Sequence, residues 1–326
     1  MRDSILKNIL KNSWLFFKND IRKENNRLRQ QALEQQAAIE DLSYRYEGLV
    51  FYNRLMSYYA RNQEEASAFL NELNYLRDKG DFCNFPYPDK GLKSEVIAGF
   101  DEGVKLPYVL HNGIKLYYPR IWSVDSVKKM YVNYITCELF LETDDDLIAP
   151  HQYQSSMVNV KEGDVVFDIG SAEGLFALDN IKKASHIFIV EGDELWMESL
   201  RHTFAPYQDK VTIIDNYIGE SERESQITIQ SLLEKAVFET AFVKMDIEGS
   251  ELPCLTSARA FLQAIGKKVK FSCAAYHRQN DAEEIKLLFD SIGYQTEFSN
   301  GYMLFNNYDT SIPPFFRHGI VRAIRK

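Results

Sequence analysis

The decapeptide Val165-Val166-Phe167-Asp168-Ile169-Gly170-Ser171-Ala172-Glu173-Gly174 is the first stretch of this chain with residue types and spacing suited to chemistry. An apolar run reads as a buried strand ending in Asp168, followed by a tight turn through Gly170, Ser171 and Gly174 into a helix. Glycine at such a turn lets a ligand approach the backbone closely. The start of the helix offers free N–H groups and the positive end of its dipole. The spacing is GxxxG, with an acid just before it, and not the GxGxxG of nicotinamide enzymes. Asp168 would oppose a diphosphate but attract the amino group of an amino-acid-bearing cofactor. A second apolar run, Ile187–Val190, ends in Glu191, 21 residues beyond Gly170. An acid at the end of the second strand, at that distance, is placed to bind ribose hydroxyls.

Two further strand ends carry reactive groups. Phe242-Val243-Lys244-Met245-Asp246-Ile247-Glu248-Gly249-Ser250-Glu251 delivers Asp246 and Glu248 to a strand's C-terminal edge, where they can orient a substrate or accept a proton. Glu248 and Glu251 equally suit the N-terminus of the helix that follows. After a fifth apolar run, Ala275-Tyr276-His277 puts an imidazole at the same edge. His277 is the first choice for general base, because its unperturbed pKa lies near neutrality, with Asp246 or Glu248 second. The other histidines (His111, His151, His186, His202, His318) show no HxxxH or HxH spacing, and the cysteines no CxxC pair. No preformed metal site is expected.

The elements that must hold these groups are legible as a rhythm. Beyond about residue 160, the short apolar runs Val165–Ile169, Ile187–Val190, Val211–Ile214, Phe242–Met245 and Val269–Ala274 alternate with helical stretches. That pattern implies βαβ units and a mostly parallel, Rossmann-like sheet covered on both faces, with ligands at the carboxyl ends of its strands. Near the end, Tyr294–Phe298 and Tyr302–Phe305 flank Asn300-Gly301 and read as an antiparallel hairpin, and Gly319–Ile324 offers one more strand.

The region ahead of the sheet differs. Residues 1–105 read as a helical N-terminal region. Within it, Ile21, Leu28, Gln35, Leu42 and Leu49, with Asn25, Ala32, Ile39 and Tyr46 between them, trace a heptad seam over 21–49. A coiled-coil homodimer and a long helix packed on its own chain are both open at this point. Residues 1–18 interleave Lys7, Lys11 and Lys18 with apolar positions, a pattern that fits either peripheral contact with an anionic membrane or ordinary core packing. They lack the unbroken core of a secretory signal, so a cytoplasmic location is expected, peripheral at the inner membrane surface if the stripe binds lipid. Residues 106–155 read as a small connecting region: a hairpin about Asn112-Gly113, then a helix over 124–142 that Asp144-Asp145-Asp146 ends. Residues 156–326 form the sheet domain. The 326 residues carry 38 basic and 47 acidic side chains for a net charge of −9, which argues against a nucleic-acid partner.

Taken together, VVFDIGSAEGLFAL, IFIVEGDELW, FVKMDIEGSELPCL and the closing GYQTEF and GYMLF resemble the FkbM family of S-adenosylmethionine-dependent methyltransferases over roughly residues 130–326. The resemblance implies a class I methyltransferase fold, S-adenosylmethionine as cofactor, and methylation of a hydroxyl on a sugar, glycan or natural-product-like acceptor. By the family pattern Asp168, Gly170 and Gly174 line the methionine part of the cofactor and Glu191 holds the ribose. Asp215 or Asn216 meets the adenine, and Asp246 sits beside the sulfonium. The chain departs from the pattern at Ala172, where the family has Asn. That departure and the helical arm motivate an alternative, a non-catalytic methyltransferase-like module acting in assembly.

Overall fold

In a computed structural model of the chain, the described residues are 39, 42–43, 45–87, 95–138, 148–305 and 312–325. They divide into two units, one ending at Gln63 and including Gly80–Phe82, the other comprising Glu64–Lys79 and the chain from Cys83 onward. In the first unit residues 45–61 are helical (α1). The described seam positions Ile39, Leu42, Tyr46 and Leu49 are exposed by 62, 67, 68 and 46%. The earlier heptads and the stripe at 1–18 lie outside the described residues.

α2 (Gln63–Ala66) begins at the last residue of the first unit and α3 (Leu70–Lys79) belongs to the second, but the helical reading of 1–105 does not hold to its end. Ala98–Asp101 form a strand, β1, paired antiparallel with β2 (Leu106–His111), which pairs in turn with β3 (Ile114–Tyr117). The two-residue turn between β2 and β3 takes positive φ at Asn112 (51°) and Gly113 (81°), the geometry that matches strand twist. Helix α4 (Val124–Cys137) starts at Ser123, whose Oγ accepts the N–H of Ser126 at 3.1 Å.

The main sheet then builds as expected. In order come β4 (Val165–Ile169), α5 (Leu175–Asn180), β5 (His186–Glu191), α6 (Glu194–Phe204) and β6 (Val211–Asp215). A short parallel pair, β7 (Tyr217–Ile218) with β8 (Gln226–Ile227), precedes α7 (Ile229–Glu234), β9 (Thr240–Met245), α8 (Glu251–Ser257), α9 (Arg259–Ala264) and β10 (Lys268–Ala274). The chain closes with α10 (Asp281–Ser291), β11 (Gln295–Phe298), β12 (Met303–Leu304), β13 (Phe316–Arg317) and β14 (Ile320–Ile324). The seven-stranded sheet runs β11-β14-β10-β9-β4-β5-β6, with β14 antiparallel to both neighbours and the five strands from β10 to β6 parallel. This is a class I methyltransferase-like sheet. From β4 the strands are added first toward β6 and then, from β9, in the opposite direction, and that switch point between β4 and β9 opens a crevice at the strands' carboxyl ends.

One local expectation fails. Asn300-Gly301 does not close a hairpin between 294–298 and 302–305. β11 pairs instead with β14 at four positions, Gln295↔Ile324 through Phe298↔Val321, while β12 pairs with β13. β14 is inserted beside β10 and offers β11 a longer ladder than a strand of two residues can.

Alternation along the strands fills two cores. Phe167, Val243 and Phe271 pack with α7, α8 and α10 on one face. Val166, Ile187 and Phe242 pack with α5, α6, Tyr153 and Val158 on the other. Asp168, Lys244 and Asp246 continue the register of Val166 and Phe242, so they reach the crevice from this second face. Among the described residues, no helix is long and apolar enough to cross a membrane.

Candidate active site

The turn after β4 is held by the backbone. Gly170 has φ +69°, and a Cβ there would stand 1.8 Å from the carbonyl oxygen of Asp246, so the two strand ends meet only because the side chain is missing. Glu191 clamps the turn from β5. One of its carboxylate oxygens accepts the N–H of Ala172 and the other that of Asp193, each at 2.9 Å. Ala172 takes φ +48°, a left-handed conformation that Asn adopts more readily than other side chains do. Asn would meet this conformation more readily, and Ala meets it at a cost. At Gly174, a Cβ would press on Phe204 and Leu200 of α6, so this glycine seats the turn on its neighbouring helix.

A cavity of about 540 Å³ opens over these strand ends. Gly170, Ser171, Glu191 and Asn216 line one side, and His151, Lys244, Asp246, Glu248 and Tyr276 the other. Asp168 and Asp215 are not among its lining residues. Asp168 is fully buried, 3.2 Å from Lys244 Nζ, and accepts the N–H of Ala177 at 3.2 Å. Asp215 turns outward, 3.3 Å from Arg201. Three polar atoms on lining residues have no hydrogen-bond partner: Ser171 Oγ, Glu173 Oε2 and Asn216 Oδ1. Buried polar atoms are normally satisfied. A ligand with an amino-acid end and a nucleoside end would satisfy these three.

Asp246 is the centre of the opposite side. The hydroxyl of Tyr153 donates to its Oδ2 at 2.6 Å, and that of Tyr276 lies 3.3 Å from the same atom. His151 Nε2 is 3.5 Å from Oδ2, and His277 Nε2 is 3.5 Å from Oδ1. Burial opposes the charge on Asp246. Hydrogen bonding from His151 and the charges of Lys244, His151 and His277 outweigh it and hold the carboxyl well below the usual range. Burial pushes the Tyr153 and Tyr276 phenols well up, so both act as donors. Burial also lowers the Lys244 ammonium, but the charges of Asp168, Asp246 and Glu138 more than compensate and keep it protonated.

Two further acids share this space. Burial, then the charge of Glu173, pushes Glu138 well above the carboxylate range, and its Oε1 is 3.5 Å from His151 Nδ1. Burial pushes Glu173 up to about 7. His277 is only 8% exposed and is not among the cavity's lining residues. It stands behind Asp246, between Glu248 and Glu251. Burial opposes charge on its ring, but the Glu251, Asp246 and Glu248 carboxylates outweigh that and raise its pKa.

Reading the sequence missed His151, Tyr153, Glu138, Lys244 and Tyr276. One of them carried a signal, since Lys244 interrupts an apolar strand and a lysine buried there requires an acid partner. His151 and Tyr153 lie in Pro150-His151-Gln152-Tyr153, where no periodicity marks them.

No family model matches the chain, and no curated protein matches it. Among solved structures it is similar to the methyltransferase FkbM from Methylobacillus flagellatus KT, at 22% identity and a TM-score of 0.41 over 63% of this chain and 56% of that one. The chain thus spans little more than half the length of that structure. It is also similar to magnesium protoporphyrin IX methyltransferase from Synechocystis PCC 6803, solved with bound S-adenosylmethionine, at 12% identity and a TM-score of 0.34 over 51% and 71% of the two chains. Precorrin-6y C5,15-methyltransferase from Geobacter metallireducens GS-15 gives 13% and 0.33 over 52% and 82%.

Proposed function

We propose that the chain is an S-adenosylmethionine-dependent O-methyltransferase whose acceptor is a hydroxyl on a sugar or natural-product-like molecule. The observation that supports it most is the two-sided cavity. On one side are a strand-end acid and unsatisfied polar atoms. Facing them is an ionised carboxylate surrounded by hydroxyls and imidazoles. When bound, the cofactor would supply an electrophilic methyl group. The chain's own residues do the rest. Glu191 is placed for ribose hydroxyls, Asn216 for the adenine, and Gly170 and Ser171 for the methionine end. Asp246 and His151 receive the acceptor's proton, with Glu138 on the far nitrogen of the ring. Tyr134 and Trp196 help line the cavity and limit water, which makes alignment of the reacting groups effective.

The alternative, a non-catalytic module that assembles through its helical arm, draws on the exposed apolar positions of α1. Calorimetric titration with S-adenosylhomocysteine separates the two readings. The enzyme reading expects micromolar binding, weakened about 10- to 100-fold by Glu191→Ala, the loss of one charge-assisted contact of about 1.5–3 kcal/mol. A folded wild type that takes up none of the ligand overturns it.

A further inference from the structure

Behind Asp246 lies a group of side chains that the methyl-transfer reading leaves unused. His277 follows β10, and neither of its ring nitrogens has a hydrogen-bond partner, although the residue is only 8% exposed. Its Nε2 is 3.5 Å from Asp246 Oδ1 and 3.4 Å from Glu248 Oε2, and its Nδ1 is 3.4 Å from Glu251 Oε1. Glu251 is fully buried and its Oε2 is also unpartnered. One ligand atom from each of Asp246, Glu251 and His277 lies within 4.8 Å of the other two.

At Nε2 the separations from Asp246 and Glu248 are long for hydrogen bonds but suit neighbouring donors about one ion, while Glu251, which meets the other ring nitrogen, joins the set at the wider spacing of up to 4.8 Å. Bonds of about 2.1–2.4 Å put neighbouring ligands roughly 3.0–3.4 Å apart and opposite ligands roughly 4.2–4.8 Å apart. The charge also fits. Three carboxylates gather around one imidazole, and the lysine on the same strand, Lys244, is turned to Asp168 and to the carbonyl of Gly170. Glu251 is fully buried with the His277 imidazole as its ion-pair partner, and burying that carboxylate is costly unless a cation offsets it. The supporting contacts are those of a held ligand set. Tyr153 fixes Oδ2 of Asp246 and leaves Oδ1 toward His277, while the N–H of Ile247 donates to Glu251 Oε1 at 2.7 Å. Asp246 and Glu248 also line the cavity, which gives an ion a way in.

We propose that Asp246, Glu251 and His277, with the exposed Glu248 as a further donor, bind one divalent cation next to the proton-accepting side of the cavity. The donors are oxygens and one imidazole nitrogen with no thiolate, which favours Mn²⁺, Mg²⁺ or Zn²⁺ over soft metals. HxxxH spacing does not register such a site, because two donors lie on the turn after β9, the third opens α8 and the fourth follows β10. Binding of the ion does not depend on the methyl-transfer reading. Its use, to polarise an acceptor hydroxyl brought beside Asp246, does.

The test is a titration of the full-length, chelator-treated protein with Mn²⁺, followed by loss of the free-ion electron paramagnetic resonance signal. S-adenosylhomocysteine binding is measured separately on the same samples. The expected result is one Mn²⁺ per chain, bound at least tenfold more weakly by Glu251→Gln and His277→Gln. Should those buried variants fail to melt cooperatively, Glu248→Lys decides. Its side chain is 87% exposed and a lysine there sets a cation against the ion, so binding must again fall at least tenfold. A wild type that takes up no Mn²⁺, or folded variants that bind it unchanged, overturns the proposal. Because cofactor binding is read independently, either result leaves the methyltransferase reading to its own titration.

Discussion

Along the edge formed by the ends of β4 and β5, backbone groups do most of the holding. Along the edge of β9 and β10, side chains do. On the first edge, Glu191 accepts two main-chain N–H groups, Gly170 passes under Asp246, and the turn fits on α6 through Gly174. Everything needed lies within a few residues of a strand end. On the second edge Asp246 is surrounded by His151 and Tyr153 from one segment and Tyr276 and His277 from another, both distant from it in sequence. The first edge is a local motif that binds, while the second is a long-range assembly of ionisable groups, the kind of arrangement that performs proton chemistry.

The largest effect that would sharpen this contrast comes from His151→Gln. If the second edge handles the acceptor's proton, turnover should fall about 10²- to 10⁴-fold. S-adenosylhomocysteine affinity should stay within about threefold of wild type, because His151 contacts Asp246 and Glu138 while Glu191 holds the turn after β4. Steady-state rates and calorimetry on one preparation check both halves. A variant that loses affinity instead of turnover would erase the division of labour between the edges.

This contrast also explains what the sequence disclosed. β4, β5, β6, β9 and β10 follow from apolar runs of the right length, and Glu191 from its distance to Gly170, because those signals are short-range. Asp168 was placed at the cofactor, yet it is buried against Lys244, since the lysine two residues before Asp246 needs a partner more than the ligand does. His151 could not be assigned, because nothing in its neighbourhood says that residues 150–153 run to Asp246 and alongside Ser272 of β10 and Arg322 of β14. The Asn-Gly turn misled for the same reason. Its local preference competed with a longer ladder on β14, whose distance in sequence hides it.

Glu173 lies where the two edges meet and gives the next largest effect. Its folded pKa is raised from 4.5 to about 7 by burial, so the native chain holds this proton more tightly than the unfolded chain does. The group therefore costs the native state stability as pH rises from about 4.5 through about 7, and the cost persists above that. Glu173→Gln removes this titration. Relative to wild type, the variant should gain on the order of 3 kcal/mol between pH 4.5 and pH 8. Urea midpoints at the two pH values measure the gap. An unchanged gap would mean that the Glu173 carboxylate is solvated and belongs to neither edge.

The smallest effect tests whether the first edge is governed by its backbone. Ala172 holds φ +48°, where a side chain bearing Cβ costs roughly 1–2 kcal/mol and Asn less than most. It borders the cavity, so a longer side chain has room. Ala172→Asn should therefore raise stability by about 0.5–1 kcal/mol, read as a higher urea midpoint at constant slope. The N–H of residue 172 still donates to Glu191, so cofactor affinity should hold or improve. A stability gain with unchanged affinity would assign the family's Asn to the turn. A gain in affinity without one in stability would assign it to the ligand, and the first edge would then hold its cofactor by side chains as the second holds Asp246.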